Sequence, residues 1–182
     1  KIHLSGTSKA DFFNVTGLST HFSPRKDKLG LYSDNCLAHE ANLEVPLNLL
    51  YIEDYKTHGL YGNPHASDSH FHRLLLSLGD DAKVHDVGST GGSFGFGKTV
   101  YSANSGVHTI IAYTSFNDSR ASDGINSRLM GCAFLAKHKY EDKEYTGRAW
   151  LGRPDDASGI VHPFENDEAH MIAEKLGFAS RV

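Results

Sequence analysis

Hydrophobic and polar positions alternate with two different periods along this chain, and the change of period marks out its elements. Lys1-Ile2-His3-Leu4 alternates strictly, which predicts an opening strand. A helix is expected around Ala10–Asn14, and Ser23–Glu40, with Pro24, Gly30 and Asn35, reads as loop. Leu47–Ile52 is a short apolar run with Pro46 before it and glycines after it, a pattern that favours a buried strand. Phe71, Leu74, Leu75 and Leu78 recur at helical spacing and predict a helix over Phe71–Leu78, with Asp68 or Ser69 as its N-cap. Lys98–Asn104 reads as a further helix. Val107–Ser115, Arg128–Lys137 and Glu144–Leu151 read as three strands separated by turns at Asn117-Asp118 and Glu141-Asp142, an antiparallel meander. The tail predicts a helix over Glu165–Leu176. Ala169, Ile172, Ala173 and Leu176 share one face, acidic residues fill its first turn, and Gly177 stops it.

Composition narrows the class. The 182 residues are 39% hydrophobic and 22% charged, as in one globular domain. No apolar run approaches the roughly 18 residues of a membrane helix, and no secretion leader opens the chain, so a cytoplasmic setting is expected. A net charge of -4 argues against a surface devoted to nucleic acid. Cys36 and Cys132 form no CxxC pair and are expected to be free thiols. His65, His70 and His72 cluster with Asp68 but lack a third ligand at fixed spacing, so solvent-facing histidines are expected there instead of a zinc site. Ser102 and Ser105 lack the surroundings of an activated nucleophile. Lys137, His138, Lys139 and Lys143 read as a solvated hairpin edge.

Candidate chemistry concentrates where Gly91, Gly92, Gly95 and Gly97 fall within seven residues. No regular element tolerates that density. Gly92-Ser93-Phe94-Gly95-Phe96-Gly97-Lys98-Thr99 fits GxxxxGK[ST], the phosphate-binding loop of P-loop NTPases. Glycines let backbone N–H groups converge on phosphate oxygens, and Lys98 can neutralise their charge. A P-loop follows a buried strand, however, and Val84–Gly91 is too polar to be one. The apolar run ending in Glu53-Asp54 also precedes the loop, the reverse of the usual order for the acid that holds Mg²⁺.

That order resembles another design. Asp54-Tyr55-Lys56-Thr57-His58-Gly59-Leu60-Tyr61-Gly62, followed further on by Gly91–Lys98, resembles the two glycine motifs of the Bergerat-fold (GHKL-type) ATPases, which include gyrase B subunits, the large heat-shock chaperones, histidine kinases and MutL. The resemblance implies ATP and Mg²⁺ as ligands. Asp54, at a strand end, would accept from the adenine amino group, Thr57 would lie beside the ring, Gly59 would let the base approach the backbone, and Gly62 would belong to the same ATP site. Gly91, Gly92, Ser93, Phe94, Gly95, Phe96, Gly97, Lys98 and Thr99 would form the phosphate loop, with Lys98 as phosphate ligand. Asn63–Ser89 would be a lid whose closure couples nucleotide state to a protein partner or a dimer contact. The run GGSFGFGK, then VHTIIAYT, Arg128-Leu129-Met130-Gly131, Thr146-Gly147-Arg148 and Pro163–Asn166 is similar to a bacterial subgroup with a GGSxGxGK loop, some of whose members belong to anti-phage defence.

The fold expected from this likeness is α/β in the α+β sense: a two-layer sandwich of a mixed, largely antiparallel sheet with helices on one face. Residues 1–182 would form one ATP-binding domain, with a nucleotide-binding core over 1–152 and a C-terminal helical extension over 153–182. The family's catalytic helix, with its general-base glutamate and its Mg²⁺-binding asparagine one turn apart, has no match here. Glu40 and Asn42 are two apart and read as loop. The general base is therefore expected upstream of Lys1, which makes the intact protein an ATP hydrolase while this chain binds ATP. A module that senses ATP without hydrolysing it is the alternative, and a P-loop NTPase using Gly92–Thr99 a further one.

Overall fold

The computed structural model describes residues 1–22, 42–76, 99–116, 124–134 and 137–178. At its centre lies β4 (Ser127–Phe134), every residue of which is buried except half-buried Phe134. One edge of β4 pairs along its length with β3 (Thr109–Ser115), from Thr109 opposite Ala133 to Ser115 opposite Ser127. Its other edge is shared: β7 (Arg148–Leu151) pairs with Gly131–Phe134, and β10 (Phe164–Glu165) pairs with Arg128 and Leu129. Between β7 and β10 the chain leaves the sheet as a hairpin of β8 (Arg153–Asp155) and β9 (Ile160–His162). Gly152 makes that exit possible, since a Cβ there would meet the His162 carbonyl oxygen at 2.5 Å. Two small ribbons complete the strands. β1 (Ile2–Leu4) pairs with β2 (Leu47–Leu49), and β5 (His138–Tyr140) with β6 (Lys143–Tyr145). Every pairing among the described residues is antiparallel, so the mixed character expected of the sheet is not found in them.

Strand alternation gives β4 two apolar faces, and each finds a cover. Leu129 and Ala133, with Ile111, Tyr113, Ala149 and Leu151, face α1 (Gly6–Val15), α2 (Leu18–Phe22) and α5 (Asn166–Lys175), which contribute Phe12, Phe13, Leu18, Ala169 and Ala173. Met130, Ile110, Ala112 and Trp150 face the other way, onto Leu60, Phe71, Leu75 and Val161. The helices expected on one face are thus present, and the opposite face is closed by the segment around α3, a π-helical turn at His72–Leu76. Burial of Phe71 and Leu75 contributes about 2 kcal/mol each. That anchors the first part of the expected Asn63–Ser89 lid into the core. Ser69 caps the turn as anticipated, its Oγ accepting from the His72 N–H at 3.1 Å.

Three expectations need correction. β2 stops at Leu49, and the rest of the predicted Leu47–Ile52 strand leaves the sheet, with Leu50 75% and Ile52 60% exposed. The predicted Glu144–Leu151 strand is two strands in different sheets, broken at Gly147, whose φ of +109° no ordinary strand residue adopts. The C-terminal residues are not appended to a core over 1–152: β10 completes the central sheet, and Ala169, Ala173 and Leu176 of the α5 region are buried in the main core.

Local chemistry fixes the helices. α5 ends as its sequence promised, with the Gly177 N–H donating to the Glu174 carbonyl at 3.0 Å and the Phe178 N–H to the Ala173 carbonyl at 2.8 Å. Lys9, fully buried in α1, donates from Nζ to the carbonyls of Asn42 (2.8 Å) and Val45 (2.7 Å) and lies 5.5 Å from the Phe13 ring centroid. It ties the 42–45 turn to the first helix. No helix among the described residues is long and apolar enough to cross a membrane.

Candidate functional site

The segment from Leu50 to Gly62 has no regular structure, and sequence-distant residues hold it in place. Asp54 lies in it, exposed, five residues beyond the end of β2 and not at a strand end. Upstream, the Tyr51 hydroxyl donates to the Leu176 carbonyl at 2.6 Å, pinning the segment to the end of α5. Thr57 Oγ1 accepts from the Gly59 N–H at 3.3 Å. Gly59, at φ +68°, is pressed against the end of β3: a Cβ would meet Thr114 Oγ1 at 2.9 Å, Phe116 Cβ at 3.2 Å and the Ser115 carbonyl oxygen at 3.2 Å. Thr114 Oγ1 also accepts from the Leu60 N–H at 3.0 Å. The segment therefore turns on Gly59 and Thr114 and leaves the Asp54 carboxylate in solvent, free to accept from an amino group.

Gly62 has a second anchor. Buried Arg128 donates from one guanidinium nitrogen to the Gly62 carbonyl and from Nε to Glu165 Oε1 at 2.9 Å, and its guanidinium lies 5.5 Å from the Phe116 ring centroid. Arg128 thus joins the aspartate segment, β4 and β10 in one contact. Thr114 and Arg128 lie in stretches that carry the sequence resemblance, but their anchoring roles have no local signal, because a threonine and an arginine in strands show none until the segment they hold is folded over them.

Gly91, Gly92, Ser93, Phe94, Gly95, Phe96, Gly97 and Lys98 lie outside the described residues. Thr99 opens α4 (Thr99–Ala103), consistent with a helix following the loop. Glu40 is also outside the described residues. Asn42 is exposed, and its Oδ1 accepts from the Glu44 N–H at 3.0 Å, a turn-forming role. A hollow of about 60 Å³ lies between the α1–α2 turn and the sheet, lined by Thr16, Leu18, His21, Ile111 and Ala149 among others, and includes no residue of the aspartate segment.

The histidines separate into pairs that the sequence did not announce. His65 Nε2 lies 2.8 Å from His162 Nδ1, the His70 ring sits 5.4 Å from Tyr61, and His72 is half-buried. His21 Nδ1 lies 3.1 Å from His138 Nε2, with His138 stacked on Tyr145; burial and His138 together lower the pKa of His21. His170 links Tyr113 (2.5 Å from Nδ1) to Ser127 (3.2 Å from Nε2). That order of groups resembles a nucleophile with its base, but Ser127 is fully buried and no substrate could reach it. Cys132 is buried in β4, and its thiol pKa is pushed up to about 12, so it stays a protonated core residue.

Among the described residues no three His, Cys, Asp or Glu side chains are placed to hold a metal ion. The space beside the Gly59 Cα is filled by Thr114, Ser115 and Phe116 of this chain and is not open to a base, while the Asp54 carboxylate is exposed. Compared with protein-family models, with curated proteins and with solved structures, the chain matches none of them.

Proposed function

We propose that this chain is the ATP-binding domain of a Bergerat-fold, GHKL-type ATPase, with adenine held by Asp54 and the phosphates by Gly91–Lys98. The observation that carries this reading is the Asp54–Gly62 segment, folded back on Gly59 against Thr114 while the Asp54 carboxylate stays exposed. A carboxylate that a bound base covers from water favours a base with an amino group, because a base lacking that group leaves the acceptor unpaired. Mg²⁺ accompanies the triphosphate in this reading. Hydrolysis waits on a glutamate outside the described residues, and nucleotide state passes to a protein partner or a second copy. Bacterial anti-phage defence as the setting rests on the sequence resemblance alone.

Binding of trinitrophenyl-ATP, followed by fluorescence with unlabelled ATP and GTP as competitors, tests it. ATP should compete and GTP should not. Asp54→Asn should weaken ATP binding by about tenfold or more, the worth of a hydrogen bond to a charged group, and Lys98→Ala should weaken it through the phosphates. ATP binding unchanged by Asp54→Asn but abolished by Lys98→Ala would instead assign the glycine loop to a P-loop NTPase.

A further inference from the structure

His65 and His162 meet at a junction between the proposed adenine segment and the C-terminal hairpin. His65 follows Gly62 by three residues, and its N–H donates to Asn63 Oδ1 at 2.9 Å, which fixes the turn that presents the ring. His162 ends β9, two residues before β10. The rings meet edge to face, with centroids 4.7 Å apart at 88° and His65 Nε2 2.8 Å from His162 Nδ1. Below them Leu60 and Val161, from the same two segments, pack on the Phe71, Leu75 and Met130 cluster. Beside them Arg128 holds the Gly62 carbonyl and Glu165. Histidine pair, apolar contact and arginine all join the same two stretches of chain.

We propose that the His65–His162 pair is a proton-operated clasp that holds the Gly62–His65 turn against the β9–β10 segment and so regulates the site at Asp54–Gly62. In naming what the clasp regulates, this rests on the ATP-binding reading; the clasp itself does not. One imidazole must donate and the other accept, so the contact survives with no added proton or with one. His162 Nε2 faces Asp155 Oδ2 at 4.0 Å, with Asp155 itself held by the Ser158 hydroxyl at 2.5 Å and the Ala157 N–H at 3.0 Å.

A second proton removes the last acceptor of the pair. On His65 it also places a cation beside His162, His72 and Arg128, with Glu165 alone opposing; these neighbours and burial, the largest cause, hold the pKa of His65 below its ordinary 6.5. His72 supplies no relief, since its own Nδ1 is buried without a hydrogen-bond partner. The sign follows: a folded-state pKa below 6.5 means the contact is complete above pH 6.5 and is lost as pH falls below it. Opening takes up one proton, so it becomes up to about tenfold easier per pH unit through that window.

Amide hydrogen exchange at pH 7.5 and 5.5, corrected for intrinsic rates, reads the clasp directly. Protection of residues 60–66 should fall on acidification while the β3–β4 ladder changes far less, and in His65→Gln protection should be the same at both pH values. The ε1-proton resonance of His65 should titrate below 6.5 and move toward 6.5 in His162→Gln, a reading on wild-type-like histidine that stands even where His65→Gln fails to fold. Equal wild-type protection at both pH values, or a pH-dependent loss that persists in His65→Gln, overturns the clasp. Trinitrophenyl-ATP binding in the same buffers separates the two claims. No binding at either pH sinks the ATP reading and leaves the exchange result intact, whereas pH-independent binding with pH-dependent exchange removes the regulation.

Discussion

Gly59 has no room for a methyl group. Its φ of +68° disfavours any L side chain, and the atoms a Cβ would meet include the backbone oxygen of Ser115, which cannot swing aside. Gly59→Ala should therefore cost about 2 kcal/mol in urea denaturation and shift the aspartate segment away from Thr114. Thr114→Val, which removes the acceptor used by the Leu60 N–H, should cost about 1 kcal/mol while keeping the segment's path. The two together separate space from hydrogen bonding. Cys132 makes a second prediction at this scale. In a Cys36→Ser background, its buried thiol with a pKa of about 12 should resist a disulfide reagent at pH 8 in the folded protein and react rapidly in urea. Rapid reaction of the native protein would mean that β4 opens without global unfolding.

At the scale of elements, α5 and the β5–β6 hairpin differ in how they are held. α5 is stopped by its own sequence: Gly177 at φ +82° lets the last turn donate back to Ala173 and Glu174. Gly177→Ala should cost about 1 kcal/mol and lower Tm by about 3 °C. The hairpin contacts α2 through a single aromatic cluster of His21, His138, Tyr140 and Tyr145. Burial and the His138 charge lower the pKa of His21. Its contribution is therefore complete above pH 6.5 and disappears as pH falls through the lowered value. The slope of Tm against pH between 7 and 5 should be shallower in His21→Gln than in the wild type. An unchanged slope would place the acid sensitivity elsewhere. The hairpin is legible in its turn at Glu141-Asp142 but not in the extent of its second strand, because the break at Gly147 reads as the interior of a Glu144–Leu151 strand.

At the scale of the molecule, β4 lies between two cores with residues of alternating parity on opposite faces. Leu129→Ala and Met130→Ala, neighbours in sequence but on different faces, should each cost about 3 kcal/mol. Both variants should unfold in one transition, because α5 and β10 belong to the same core and sheet as the N-terminal helices. A separate transition for residues 153–178 would contradict that architecture. What the sequence determined by itself was local: the α5 face and its glycine stop, the strands β3 and β4, the Ser69 cap and the α+β class. Each depends on residues within a turn or two of one another, where periodicity and capping chemistry act. The tertiary structure decided where the aspartate segment lies, that Phe71 and Leu75 of the expected lid are core, that Arg128 joins Gly62 to Glu165, and which histidines pair. Those contacts join residues from 37 to 117 positions apart, and a partner that distant imposes no period on the chain, so nothing in the local pattern could announce it.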